Sequence, residues 1–296
     1  MQTVGPVWDA LPVPSLTPAR EPEKPWTWDP SLYAGSAWHY PVGRVAYPRQ
    51  VADELVRALR LDGTGVLIDV GCGPGSLTLL LAPHVAEAIG VDPDPDMLTE
   101  AARLAEQRQV WNVTWRQLRG EDLPADLPRP RLVAFAQSFH WMDRPRVAAA
   151  LRGMLAPGGA VVHLGGTTHE GITTDDVLPR PQPPRQAISA LIQDFLGTER
   201  RAGQGHLPAG TAGDEDEVFR EAGFRGPQRL EVPGRVVERS VEQIVSSVYS
   251  LSSSAPHLFG ERLDAFDSRL RQLLTGAGDD ARFSEQMGPI GLSVWF

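Results

Sequence analysis

From Pro48 onward the apolar residues recur in two alternating rhythms. Val51, Leu55 and Leu59 return every four residues, which is the spacing of one helix face. After the Asp62-Gly-Thr-Gly65 turn, Val66–Val70 is a short, mostly apolar run of the kind that forms a strand buried on both faces. The glycine-rich turn Gly71 to Gly75 then leads into a helix through Leu77 to Ala82, ended by Pro83. Val85–Val91 predicts a second strand. Asp94, with Pro95 behind it, predicts the cap of a helix whose inner face is Met97, Ala101 and Leu104. Val113–Gln117, Leu132–Ala136 and Ala160–Leu164 predict three more strands. The last of these follows a helix lined by Val147, Leu151, Met154 and Leu155, which Pro157-Gly158-Gly159 stops. Strand and helix alternation sustained over about 115 residues implies a parallel sheet with crossover helices on both faces.

The rhythm breaks after the fifth strand. Residues 165 to 215 are rich in proline, glycine and arginine around one apolar helix (Ile188, Leu191, Ile192, Phe195, Leu196), and the segment is expected to be an insertion. Beyond it, the pattern predicts a helix at Asp214–Ala222 and a strand at Arg229–Val232. Ser240 to Gln243 spells a capping box for a helix carrying Ile244, Val245 and Val248. A last helix carries Leu263, Phe266, Leu270 and Leu273, and Leu292–Phe296 predicts a final strand. Residues 1–48 are different again. Prolines favour extended backbone there, and Trp8, Trp26, Trp28, Tyr33, Trp38, Tyr40 and Tyr47 are crowded among them. Four tryptophans carry much apolar surface, so this arm is expected to dock at least in part.

Composition narrows the function classes. The chain has 296 residues, 42% hydrophobic, enough for a full core and for two domains or one with an insertion. No apolar run approaches the roughly 18–20 residues of a membrane span. Met1 to Arg20 has no basic stretch followed by an apolar one, so a cytoplasmic location is expected. The single cysteine, Cys72, excludes an intramolecular disulfide and a zinc site built on several thiolates, and the histidines show no ligand spacing, so no metal is expected. A net charge of −9 argues against a nucleic-acid partner, which would call for a basic face.

The chemistry concentrates in Asp69-Val-Gly71-Cys-Gly73-Pro-Gly75. Glycines after a strand let the backbone turn tightly and approach a ligand, and the next helix offers free N–H groups to an anion. A dinucleotide turn would have its third glycine where Ser76 stands. Asp69 would also sit poorly beside a pyrophosphate. It suits a ligand with an ammonium group, and S-adenosylmethionine (SAM) has one together with a carboxylate. Asp92 ends the second strand, where an acid can accept both ribose hydroxyls. Met97 can lay its thioether on an adenine face or simply pack in the core.

These segments, in this order and spacing, resemble the class I SAM-dependent methyltransferases with small-molecule acceptors. Gly90-Val-Asp92, Glu121-Asp-Leu-Pro124 and Leu155-Ala-Pro-Gly-Gly159 add to the glycine turn. Phe139-His-Trp-Met-Asp143 and Arg44-Val-Ala-Tyr47-Pro48 are similar to signatures of a subgroup that includes trans-aconitate methyltransferase-like proteins. The resemblance implies an α/β fold. Its doubly wound, mainly parallel seven-stranded sheet would have the order 3-2-1-4-5-7-6, with strand 7 antiparallel. The domain would span 49–296, with the arm 1–48 and the insertion 165–215 as lid. It implies that Asp69, Gly71, Gly73 and Gly75 hold the methionine part of SAM, Asp92 the ribose, and Pro93 and Met97 the adenine. Gly120 and Glu121 would border the adenine edge, and Gln137 would lie under the methionyl group. Relatives often carry Asp-Ala-Glu where this chain has Arg119-Gly120-Glu121. Glu121 or Asp122 must then replace the usual adenine acceptor, or that contact is lost.

The expected reaction is SN2 transfer of the SAM methyl to O, N or C of a small, apolar or aromatic acceptor, leaving S-adenosylhomocysteine. A hydroxyl acceptor would need a base, and His140 is the candidate; its alternative role is to shape the pocket. Tyr33, Trp38, Tyr40 and Trp141, with Trp26 and Trp28, are expected to close over the acceptor, or else to glue the arm to the body. Arg44 is the candidate partner of the SAM carboxylate. The expected partner is a small molecule, not a nucleic acid or a membrane, and the expected state is a monomer or homodimer. The competing readings are a SAM-binding enzyme of cyclase type that does not methylate, and a non-catalytic binding partner that kept the fold.

Overall fold

The predicted strand runs are continuously apolar because both of their faces are covered. A computed structural model describes residues 28–198, 201–202, 205–206, 215–277 and 281–296. In strand β1 (Val66–Val70), Leu67 packs into one apolar cluster while Ile68 and Val70 pack into another. Strands β2 (Glu87–Asp92) and β3 (Val113–Gln117) lie on one side of β1. Strands β4 (Leu132–Ala136) and β5 (Ala160–Gly165) lie on the other. In β4, Leu132 and Ala134 face the first cluster, and Val133 and Phe135 the second.

The chain contributes a short helix α1 (His39–Gly43), then α2 (Arg49–Leu59), α3 (Ser76–Leu81), α4 (Pro95–Gln107) and α5 (Arg144–Met154). Helices α6 (Arg185–Leu196), α7 (Glu215–Glu221), α8 (Val241–Tyr249) and α9 (Leu263–Thr275) follow. The first cluster takes Val51 and Leu55 from α2 and Leu77 and Leu81 from α3. The second takes Val147 and Leu151 from α5 and Phe219 from α7. Strands β6 (Gln228–Val232), β7 (Val236–Ser240), β8 (Arg282–Gln286) and β9 (Ile290–Trp295) complete the elements used below.

The main sheet has the order β3-β2-β1-β4-β5-β9-β6, with β9 antiparallel to both its neighbours. This is the expected seven-strand order, the last strand in the chain being the antiparallel one. The strand order reverses between the parallel strands β1 and β4, and an open α/β sheet leaves a ligand crevice at the strand ends there. Asp69 of β1 is level with Gly90 of β2 and Ala134 of β4, so the ends of these strands converge. Strand β2 starts two residues later than predicted, at Glu87, and Ala82–His84 continues α3 as a 3-10 turn before it.

The C-terminal half holds the departures from expectation. The Ser240 capping box forms at α8 as predicted. Strands β7 and β8, which pair antiparallel, carry no apolar alternation that would predict them. Their buried positions include Arg239, Ser284 and Glu285. A third apolar cluster joins Ile188 and Leu191 of α6 to Val245 and Val248 of α8, Phe266 and Leu270 of α9, and Phe283 of β8. This cluster thus joins the helix of the expected insertion to α8, α9 and β8, which follow it in the chain. The described part of the arm docks on it. Ser36 Oγ donates to the carbonyl of Tyr249 at 2.7 Å, and Gly43 lies so close to the Ser246–Ser247 backbone that a Cβ would come within 2.4 Å of it. Trp8 and Trp26 fall outside the described residues. Among the described residues no helix is long and apolar enough to cross a membrane.

Candidate active site

The strand ends and the arm enclose a cavity of about 570 Å³. Its floor is built by four loops: Gly71 to Pro74 after β1, Asp92–Pro93 at the end of β2, Gly120–Glu121 after β3, and Ala136 to Ser138 after β4. Met97 of α4 lines one wall. Trp28, Tyr33, Tyr40, Arg44 and Tyr47 line it from the arm, and Trp141 and Met142 from the turn after β4.

The glycine turn works by two different constraints. Gly71 has φ +67°, and a Cβ there would lie 2.5 Å from the Ser138 Cβ. Gly75 has φ +77°, and a Cβ there would lie 2.5 Å from the Trp115 ring. Both glycines are required by the fold itself. Gly73 also has positive φ, +52°, but a Cβ there would meet nothing within 4 Å. Its missing side chain leaves space on the cavity side.

Two carboxylates lie at this turn. Asp92 Oδ2 accepts from the Gly73 N–H at 2.8 Å and its Oδ1 from the Asp94 N–H at 2.9 Å. Each oxygen keeps lone-pair capacity for a ligand hydroxyl. Burial pushes the Asp92 carboxyl up to about 7, despite those two backbone donors. Asp69 lies beneath the turn, fully buried. Its Oδ2 accepts from Thr78 Oγ1 at 2.6 Å, while Oδ1 has no partner. Burial pushes this carboxyl up to about 6. An orphaned buried carboxylate oxygen, a second carboxylate held rigid at the cavity wall, and an open glycine between them fit a ligand with an ammonium group and vicinal hydroxyls. The donor set of the site therefore suits SAM.

Most of the expected site residues come together around this cavity. Arg44, Gly71, Gly73, Asp92, Pro93, Met97, Gly120, Glu121 and Gln137 line it, as do Tyr33, Tyr40 and Trp141. Asp69 and Gly75 support the turn without lining the cavity. Three expectations do not meet the geometry. Trp38, expected over the acceptor, is 60% exposed and not in the lining. Asp122, one of two candidates for the adenine edge, is exposed and also outside it. His140, the candidate base, is half-buried beside Trp141 and is not in the lining. Burial, with His163 and Arg144 nearby, pushes its imidazole down to about 4. Trp141, one residue on in the same 3-10 turn, reaches the cavity in its place.

Glu121 is partly committed to the protein. Its Oε1 accepts from the Asp143 N–H at 2.9 Å, and Arg119 Nε lies 3.4 Å from Oε2. This ties the loop after β3 to the Phe139–Asp143 turn. Met142 fills the gap between those loops: its thioether sulfur lies 2.6 Å from where a Gly120 Cβ would stand. Sequence reasoning missed Tyr47, Ser138 and Met142 as lining residues. The Arg44-Val-Ala-Tyr47-Pro48 and Phe139-His-Trp-Met-Asp143 signatures contained the signal for all but Ser138. Gln137 takes φ +57°, which aims its side chain at Tyr47, and Nε2 donates to the Tyr47 hydroxyl oxygen at 3.0 Å. Arg44 is held from behind: Nε donates to Ser250 Oγ at 2.8 Å, and the guanidinium lies 4.6 Å from the Tyr40 ring centre. Tyr33 meets Tyr40 and Trp141 edge-on, both at 6.3 Å.

Comparison with known proteins agrees with this geometry. Residues 67–159 match a family model described as a methyltransferase domain. An uncharacterized methyltransferase of Mycobacterium tuberculosis is 33% identical over 179 residues, covering 58% of this chain and 69% of that protein. A candidate SAM-dependent methyltransferase of Saccharomyces cerevisiae is 30% identical over 124 residues, 41% of this chain and 42% of that one. A trans-aconitate 2-methyltransferase of Methylobacterium radiotolerans is 33% identical over 143 residues, 45% of this chain and 47% of that one. The chain thus spans less than half the length of these last two relatives. Among solved structures, a candidate type II methyltransferase from Anaeromyxobacter dehalogenans shares the fold with TM-score 0.50 and 20% identity, over 85% of this chain and 95% of that one. The chain belongs to the SAM-dependent methyltransferase family.

Proposed function

We propose that the protein transfers the methyl group of SAM, by in-line SN2 displacement, to O, N or C of a small apolar or aromatic molecule. The observation that carries this reading is the single cavity shared by the two halves of the reaction. Asp92 and the glycine turn line it together with Trp28, Tyr33, Tyr40 and Trp141. When bound, SAM supplies a methyl group on a sulfonium, which is already a good leaving group. The residues then have only to bind, align and exclude water, and alignment alone is worth roughly 7–11 kcal/mol. Asp92 orients the ribose end through its two remaining lone-pair directions. Asp69, buried beneath the turn, favours the ammonium group through its charge. The aromatic side chains offer flat apolar faces to an acceptor and keep water from the transfer path.

The position of His140 favours acceptors that lose their proton without a histidine base, such as amines, thiols, acidic carbons or carboxylates. The test is incubation with methyl-labelled SAM and a panel of small amines, phenols, thiols and carboxylic acids, the last included because one relative is named for such a substrate. Label recovered in one class of small product supports the reading. Label that stays in bound SAM across the whole panel contradicts it and favours a protein that binds SAM without methylating.

A further inference from the structure

Tyr47 enters the cavity from the segment between α1 and α2. Its ring packs against the helix–sheet cluster that contains Leu67 and Ala134, so the side chain is anchored. The hydroxyl oxygen accepts from Gln137 Nε2 at 3.0 Å. That contact uses an oxygen lone pair and leaves the phenolic proton to be donated elsewhere. Burial, with Tyr40 and Asp69 acting in the same direction, pushes the phenol well above its ordinary range. Near neutral pH it is a neutral donor and not a base.

Two other groups act at the same corner. Arg44 lines the cavity with Nε and Nη2 held by Ser250 at 2.8 and 3.0 Å. Its remaining terminal nitrogen, Nη1, has only the longer contact of 3.4 Å with His169 Nδ1. Asp69 acts electrostatically on the Tyr47 hydroxyl and holds the orphaned oxygen Oδ1. The corner therefore offers a neutral O–H and a guanidinium to an anion, with the Asp69 carboxylate buried behind it. The α-carboxylate is the one anionic group of SAM, so it is the part of the methyl donor that this corner matches.

We infer that Tyr47 donates its hydroxyl proton to the α-carboxylate at the amino-acid end of the bound methyl donor, beside Arg44. The inference rests on the methyl-donor reading above and assigns a cofactor-binding residue to it. Gln137 acts as the positioning residue: by filling the oxygen lone pair it turns the proton toward the cavity.

The test compares two probes on the full chain by calorimetry and displacement. S-adenosylhomocysteine has the amino-acid group, and 5′-methylthioadenosine has the adenosine and thioether without it. Tyr47→Phe preserves the ring and removes the donor. It is expected to weaken S-adenosylhomocysteine by roughly ten- to hundredfold, the range for a hydrogen bond to a charged group, and to leave 5′-methylthioadenosine within about twofold. Unchanged S-adenosylhomocysteine affinity overturns the inference, and so does equal weakening of both probes, which would mean a packing role. If Tyr47→Phe does not fold, Gln137→Glu is read by the same criterion, because a carboxylate there draws the phenolic proton away from the cavity. Failure of the wild-type chain to bind S-adenosylhomocysteine overturns the methyl-donor reading itself, and this inference with it.

Discussion

The proposed function uses Asp92 as an anion, and its surroundings resist that charge. Burial holds its carboxyl up to about 7 and that of Asp69 up to about 6 in the ligand-free protein. Ribose hydroxyls and an ammonium group favour the ionised forms, so ligand binding below pH 7 must expel protons. Affinity for S-adenosylhomocysteine is expected to climb between pH 5 and 7, at close to tenfold per pH unit for each proton released, and then level off. Calorimetry across that range checks this, and Asp92→Asn should both weaken binding and flatten the profile. The stability of the ligand-free chain has the opposite sign. A raised carboxyl contributes stability that is complete below its ordinary value of 3.8 and is lost as pH rises through about 7 for Asp92. Thermal unfolding without ligand should therefore weaken from pH 5 to 7.5 relative to Asp92→Asn. The positions of Asp69 and Asp92 were legible because each lies at or next to the end of a strand, beside a glycine turn or a helix cap. The orientations of Trp38 and His140 were not. Each has a neighbour that could serve as well, and only the pitch of a short turn decides whether Tyr40 or Trp38, Trp141 or His140, faces inward.

At the scale of elements, glycines separate folding from binding. Gly71→Ala adds a Cβ at positive φ against Ser138, and should cost about 2–4 kcal/mol of stability by left-handed strain and overpacking together. Gly73→Ala meets no protein atom and should cost only about 1 kcal/mol, while weakening S-adenosylhomocysteine strongly. Denaturant unfolding and calorimetry on the two variants should give opposite rankings; the same ranking in both would contradict the division. Gly43 docks the arm, since a Cβ would come within 2.4 Å of the Ser246–Ser247 backbone. Gly43→Val should release α1 from α8 and expose the segment around Tyr33 and Tyr40 to limited proteolysis, with the sheet still folded. The sheet strands were legible because their apolar runs answer to two covered faces. Strands β7 and β8 were not, because Arg239, Ser284 and Glu285 occupy buried positions and read as surface.

The whole molecule is tied together by that same buried charge. Glu285 accepts from Arg185 at 2.8 and 2.9 Å and from Arg239 at 3.1 Å. Arg239, only 3% exposed, also donates to the carbonyls of Gly43 and Gln243. One ion cluster thus joins the arm, the insertion, β7, α8 and β8. Glu285→Ala leaves Arg239 buried without its counterion and should cost about 3–5 kcal/mol. Denaturant unfolding is expected to show the elements of this cluster loosening first, with the sheet transition less affected. The sheet order was legible through the family's motif sequence. The packing of the arm on the C-terminal helices was not, since residues from 34 to 285 meet in it and no local pattern records contacts at that separation.

Binding of SAM in this cavity through Asp92 and the glycine turn is tested most directly by calorimetric titration of the full chain with SAM at pH 7.5, beside Asp92→Ala. One site per chain is expected in the wild type and at least a tenfold loss in the variant, the least that losing hydrogen bonds to a charged group should produce. No binding to the wild type, or equal affinity in both, would contradict this binding mode.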